Sequence, residues 1–201
     1  MFWVNRALYL SRILFVLVTL LLWPLIFVLN FNSYPLTNPQ TIFEFDYQAR
    51  QQVLRNTYAY PNISLARLFQ NKAQIPIGKF EHNLTALIDP NNYFFGFHPR
   101  EILTGNANAV KFPFVALPVF LLGFFGLSTY RHRKAVSIFI IVGVILLSLL
   151  ANFDGYDFFL YFPLAYVFLS GQKRIPPVYF LAALPFAVIE LIRQIIIFGP
   201  K

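Results

Sequence analysis

The chain of 201 residues contains no cysteine. Disulfides, thiolate zinc sites and a cysteine nucleophile are therefore excluded. Charge is scarce as well: Asp, Glu, Lys and Arg together make up 12% of the chain, against about a quarter in a soluble domain. With only 8 acidic residues and 3 histidines, an acid–base or metal site has few groups to draw on. No Walker loop, zincin helix motif or Gly-x-Ser-x-Gly elbow is present. No internal repeat, low-complexity tract or alternating strand pattern interrupts the sequence. Neither are there paired broken helices in two matching halves, which would point to a secondary transporter.

What the chain does have is apolar bulk. Apolar residues reach 58%, with 25 Phe and 11 Tyr, and the mean hydropathy is +0.60. Most of such a chain has a solvent other than water. The first long apolar run, Ile13 to Phe31, would measure about 28 Å as a helix, close to the thickness of a hydrocarbon layer. It follows Arg6 and Arg12 but exceeds the length of a signal-peptide core and has no small-x-small cleavage site, so it is expected to remain as a signal anchor. Further apolar blocks run from Phe112 to Tyr130, Ala135 to Ala151, Phe158 to Ser170 and Val178 to about Phe198. The expected fold is an all-α polytopic membrane protein with about five transmembrane helices, or four if the short fourth block does not span. Three regions follow: residues 1–31 as cytoplasmic N-terminus and anchor helix, 32–111 as an extracytoplasmic helical cap, and 112–201 as a bundle of about four helices.

The basic residues set the orientation, because Lys and Arg are retained in short cytoplasmic loops. A cytoplasmic N-terminus puts Arg131, Arg133 and Lys134 inside, together with Lys173 and Arg174, and leaves only acidic charges in the Phe153–Asp157 link outside. The inverted arrangement places every cluster on the wrong side. This accounts for the excess of 16 basic over 8 acidic residues without a nucleic-acid partner, and makes anionic lipid headgroups the expected contact of those five residues.

The segment from Asn32 to Lys111 holds a dozen aromatics, too many for a disordered tether. Asn38-Pro39 has the form of a helix start, followed at helical spacing by Ile42, Phe45, Ala49 and Val53, with Asp46 and Arg50 as an i,i+4 pair. Further short helices are expected over Ser64–Asn71 and Lys79–Asp89. Asn62 and Asn83 each begin a glycosylation sequon on this outer segment.

Four places carry candidate chemistry. Tyr93 to Phe97 brings aromatics directly before His98 and Arg100, which suits a headgroup-level phosphate site. The same residues also suit aromatics in the cap's interior, with His98-Pro99 as a helix start. His82 and His98 are too few ligands for zinc, and no cofactor is implied. Asp154 and Asp157 flank Gly155-Tyr156 as paired acids, able to bind a divalent ion or act as acid and base, or simply to build a turn. Glu190 and Arg193 lie i,i+3 in the fifth apolar run with Gln194 beside them. Charges in such a run pair with each other, line a polar cavity or meet a partner helix.

Three functions fit this pattern. The favoured expectation is a non-catalytic anchoring or assembly subunit of a membrane or envelope complex, binding a membrane protein through Glu190 and Arg193. The second is a small interfacial enzyme acting on a phosphate-bearing or lipid-linked substrate at the outer leaflet, through His98, Arg100, Asp154 and Asp157. The third is a transporter or channel subunit.

Overall fold

A computed structural model describes residues 2–34, 36, 38–44, 51, 54–55, 58, 73–96, 109–130 and 132–199. Among these the chain is all-helical, with an isolated antiparallel bridge between Thr41 and Leu150. The named helices are α1 (Phe2–Leu29), α2 (Gln74–Ile88), α3 (Asn91–Phe94), α4 (Leu117–Gly126), α5 (Arg133–Ser148), α6 (Tyr161–Gly171) and α7 (Pro177–Phe198). Short 3-10 segments at Phe114–Ala116 and Leu127–Thr129 flank α4, another at Tyr156–Leu160 leads into α6, and Gln172–Arg174 follows it. Proline at the first turns of α4 and α7 supplies the fixed φ of a helix start where no amide donor is needed.

Two helices are long and apolar enough to cross a membrane: Asn5–Leu29 within α1, with mean hydropathy 2.6, and Pro177–Phe198, with 2.0. Only 28% of the first window and 22% of the second is buried, so neither has the surroundings of a core helix in a water-soluble domain. The middle three apolar blocks, expected to be spans, form α-helices of 10, 16 and 11 residues. Pro113 precedes the first of these helical segments, and the backbone tightens to 3-10 geometry where α4 and α6 end, which shortens their regular α-helical parts.

The contacts fix the helix directions. Phe15 lies 5.5 Å from Phe180 (ring centroids), while Leu22 and Ile26 pack with Leu191, so α1 and α7 run parallel. Phe15 also meets Phe168 and, two turns later, Trp23 meets Tyr161, so α6 runs antiparallel to α1. Phe120 packs on Phe168, and Gly126 lies against Arg174, making α4 parallel to α6. Gly143 approaches Leu160 while Val136 lies beside Pro163 and Tyr166, so α5 opposes α6. The five long apolar segments thus alternate in direction along the chain.

Local sequence explains the tight places. Pro24 inside α1 cannot donate to the carbonyl of Leu20. The Tyr161 hydroxyl donates to that oxygen instead, at 2.9 Å, and stitches α6 to α1. Tyr93 does the same for Leu87 at the end of α2, and Tyr130 for Ser170. Where α4 crosses α6, a Cβ on Gly123 would strike the Val167 carbonyl, and one on Gly171 would strike that of Val119. Small residues allow this backbone approach, the usual device between helices in an apolar medium.

The cap shares the bundle's core: Ala86, Leu87, Tyr93 and Phe94 belong to one buried cluster with Trp23, Phe112, Phe120 and Leu160. The helix expected from Asn38-Pro39 is not formed over residues 38–44. There the chain makes a bridge at Thr41 and then a turn, and pairs with the end of α5, through Ala151 N–H to Gln40 O at 2.8 Å and Ile42 N–H to Leu149 O at 3.0 Å. Carbonyls left over at a helix C-terminus need donors, and this competing demand overrides local helix spacing. Asn83 serves the same end, donating its Nδ2 to Leu150 O at 2.7 Å and Ser148 O at 3.3 Å. It is 3% exposed, so the sequon at Asn83 is a structural clamp and not an accessible glycan acceptor. The helix expected over Lys79–Asp89 is present but starts earlier, at Gln74. Asp46, Arg50, Asn62 and the helix expected over Ser64–Asn71 lie outside the described residues.

Gly171→Ala and Gly123→Ala should each lower the thermal unfolding temperature in mild detergent, by the equivalent of about 1–3 kcal/mol of overpacking. Gly78→Ala, where a Cβ meets nothing within 4 Å, should be neutral or slightly stabilising by helix propensity.

Candidate functional site

The capped end of the bundle holds a buried ion pair. Lys111 precedes the turn into α4, and its backbone N–H and that of Phe112 both donate to the Tyr93 carbonyl, at 3.1 and 2.8 Å. This places the Lys111 ammonium against Asp157 Oδ2, from the 3-10 segment before α6. Lys111 Nζ also donates to Asn92 Oδ1 at 2.9 Å, and lies 5.4 Å from the ring centroids of both Trp23 and Tyr93. Lys111, Asp157 and Asn92 are 7%, 4% and 2% exposed. A charge so enclosed persists only with a counter-charge and further hydrogen bonds. Here the ammonium has a carboxylate, an amide oxygen and two aromatic faces.

The aromatic box has its own order. Trp23 meets Tyr93, Phe112, Phe158 and Tyr161 edge-on, with centroids 5.3 to 6.2 Å away. The Tyr93 hydroxyl donates to Leu87 O at 2.7 Å. Burial, and then the nearby Asp157 charge, raise its pKa far above the ordinary tyrosine value, so it remains a neutral donor. Asn92 spends its oxygen on Lys111 and leaves its Nδ2 buried without a partner. Chemically the arrangement is a clamp. Its charges face each other, and its hydroxyl is committed to the backbone.

The candidate residues scatter around this clamp. Asp157 is its carboxylate, whereas Asp154 sits in the preceding turn, its N–H bonded to Asn152 Oδ1 at 3.0 Å, before Gly155 at φ +83°. The two acids are thus divided between an ion pair and a turn. Among the described residues no three His, Asp or Glu side chains come together. Tyr93 and Phe94 are buried in the core shared by cap and bundle. His98, Arg100 and Arg131 lie outside the described residues. On α7, Arg193 Nη1 reaches both Glu190 oxygens at 3.4 Å, while Gln194 Nε2 holds Glu190 Oε1 more closely, at 2.9 Å.

At the opposite end the basic residues assemble. Arg12 donates to Gln172 O at 3.1 Å, Arg174 donates to Thr129 Oγ1 at 3.2 Å, Arg133 donates to Ser128 O, and Lys173 lies over the Tyr130 ring. Lys134 is exposed beside them.

Lys111, Asn92 and Trp23 were not singled out from sequence. One signal was available for Lys111. It directly abuts an expected span on the outer side, where basic residues are disfavoured, and such a misfit calls for a buried counter-charge.

Compared with protein families, curated proteins and solved structures, the chain matches none.

Lys111→Met and Asp157→Leu should each cost about 3–5 kcal/mol, because each strands a buried charge. The double variant should be markedly more stable than either single one, which a double-mutant cycle on thermal unfolding reads directly.

Proposed function

We propose that the protein is a multi-pass integral membrane protein acting as a non-catalytic anchoring or assembly subunit. In this reading the N-terminus is cytoplasmic, the chain crosses five times, and residues 32–111 form an outer cap. The alternation of helix directions supports it, since five consecutive crossings require that order. So does the gathering of Arg12, Arg133, Lys134, Lys173 and Arg174 at one end, as positive-inside retention demands. Large apolar side chains cover the flanks, among them Leu17, Phe125, Ile138 and Ile196, each more than half exposed. In water so broad an apolar surface would aggregate. The shorter middle helices reach further through their 3-10 extensions, and the clamp carries the cap above their outer ends.

The observation that carries the subunit reading is Arg193. Its side chain is 53% exposed on the flank of α7, while its counter-ion Glu190 is 15% exposed. The closer bond to Glu190 comes from Gln194, and the guanidinium reaches Glu190 only at 3.4 Å. In an apolar medium such a group is met by an acceptor on another molecule or reaches for the interface. The partner that fits is a transmembrane helix presenting a carboxylate or amide oxygen at outer-leaflet depth.

Replacing both charges, Glu190→Leu with Arg193→Leu, should leave insertion intact and abolish stoichiometric co-purification of a membrane partner from mild detergent. Insertion is read with single cysteines: Asn91→Cys labelled in intact cells by an impermeant maleimide, and Ser128→Cys protected. A double variant that keeps its full complement of partner would remove α7 as the docking face.

A further inference from the structure

A second feature adjoins the clamp. Beneath the cap lies a cavity of about 230 Å³, walled by side chains of α2, α4, α5 and α6. Its lining includes Tyr93, whose ring covers the Lys111 ammonium, and Phe112, which packs edge-on against Trp23. Its flanks are Phe120, Phe124, Ile140, Val144 and Leu164, and the cap contributes Ile88 at the top. Every lining residue is apolar or presents a ring. Ile88, Leu121 and Phe124 at its edge are exposed, so it opens sideways between helices. An apolar cavity of about 150 Å³ already accommodates a benzene ring; this one has room for a longer apolar group.

We infer that this groove holds one acyl chain of an outer-leaflet phospholipid. The inference rests on the membrane reading above and deepens it by naming a ligand. Three observations select a lipid chain over other apolar occupants. The opening faces the flank that would contact hydrocarbon, so the occupant comes from the bilayer. Along α4 the groove runs from Leu117 to Phe124, about 10 Å of helix, which lies within one leaflet of a hydrocarbon layer about 30 Å thick. The end toward the cap is closed by Leu87, Pro90 and Tyr93, and just beyond it Asp89 and Asn91, exposed and hydrogen-bonded to each other, form a polar edge, which the membrane reading puts at headgroup level. A chain seated there would pack against the rings of the clamp and reinforce the seating of the cap.

The test is photolabelling of the full chain in vesicles of phosphatidylcholine and phosphatidylglycerol that contain a trace of phosphatidylcholine with a diazirine on its acyl chain. Adducts on Phe120–Phe124 and Ile140–Val144 should exceed, several-fold, those on the open flank of α7 between Phe186 and Ile192. Val144→Trp, which fills the groove, should lower the groove adducts and leave those on α7 unchanged. Labelling of α7 with none above it in the groove would overturn the acyl-chain site while leaving the membrane reading intact. Absence of adducts on both surfaces would overturn the membrane reading, and the site with it.

Discussion

Everything at the capped end depends on keeping one ammonium, that of Lys111, out of water. Such burial costs several kcal/mol per ion unless the surroundings replace the lost hydration. The replacement comes from three separate parts of the chain: Asp157 before α6, Asn92 on α3, and the faces of Trp23 and Tyr93. Satisfying one charge therefore brings the cap, α1 and the approaches to α4 and α6 together. Tyr93 shows how many demands meet there. Its carbonyl orients Lys111, its ring covers the ammonium, and its hydroxyl serves the carbonyl of Leu87.

A second constraint runs through the whole fold: backbone groups with no partner of their own must find one. Pro24 frees the Leu20 carbonyl, which Tyr161 engages. The C-terminal carbonyls of α5 are met by Asn83 and, at Leu149, by the Ile42 N–H. In an apolar surrounding each orphan would cost several kcal/mol. The tyrosines thus do more than fill an aromatic belt, because their hydroxyls reach the points where helices end or kink. On the proposed reading, these bonds hold rigid a scaffold whose flanks are left to lipid and, at Arg193, to a partner.

The helices themselves were legible in the sequence, because long apolar runs and basic punctuation are local signals. Residues Pro177–Phe198 fold almost as the run beginning at Val178 implies, and α2 covers most of the helix expected over Lys79–Asp89. What was not legible is pairing across distance. Asn38-Pro39 has every local mark of a helix start, yet α5, more than a hundred residues later, claims the following backbone. Asp157 beside Asp154 suggested paired acids, because its true partner lies 46 residues earlier. Asn83 read as a sequon because burial cannot be seen in three letters.

The cap helices α2 and α3 are an integral part of the helical bundle, seated on it by the Lys111–Asp157 pair. Hydrogen–deuterium exchange in lipid nanodiscs measures this most directly. The account predicts that amides of Asn83 to Phe94 exchange slowly, alongside those of α6, and that Asp157→Asn accelerates them while α1 and α7 keep their protection. Rapid exchange of Asn83 to Phe94 in the native protein, beside a protected bundle, would contradict it.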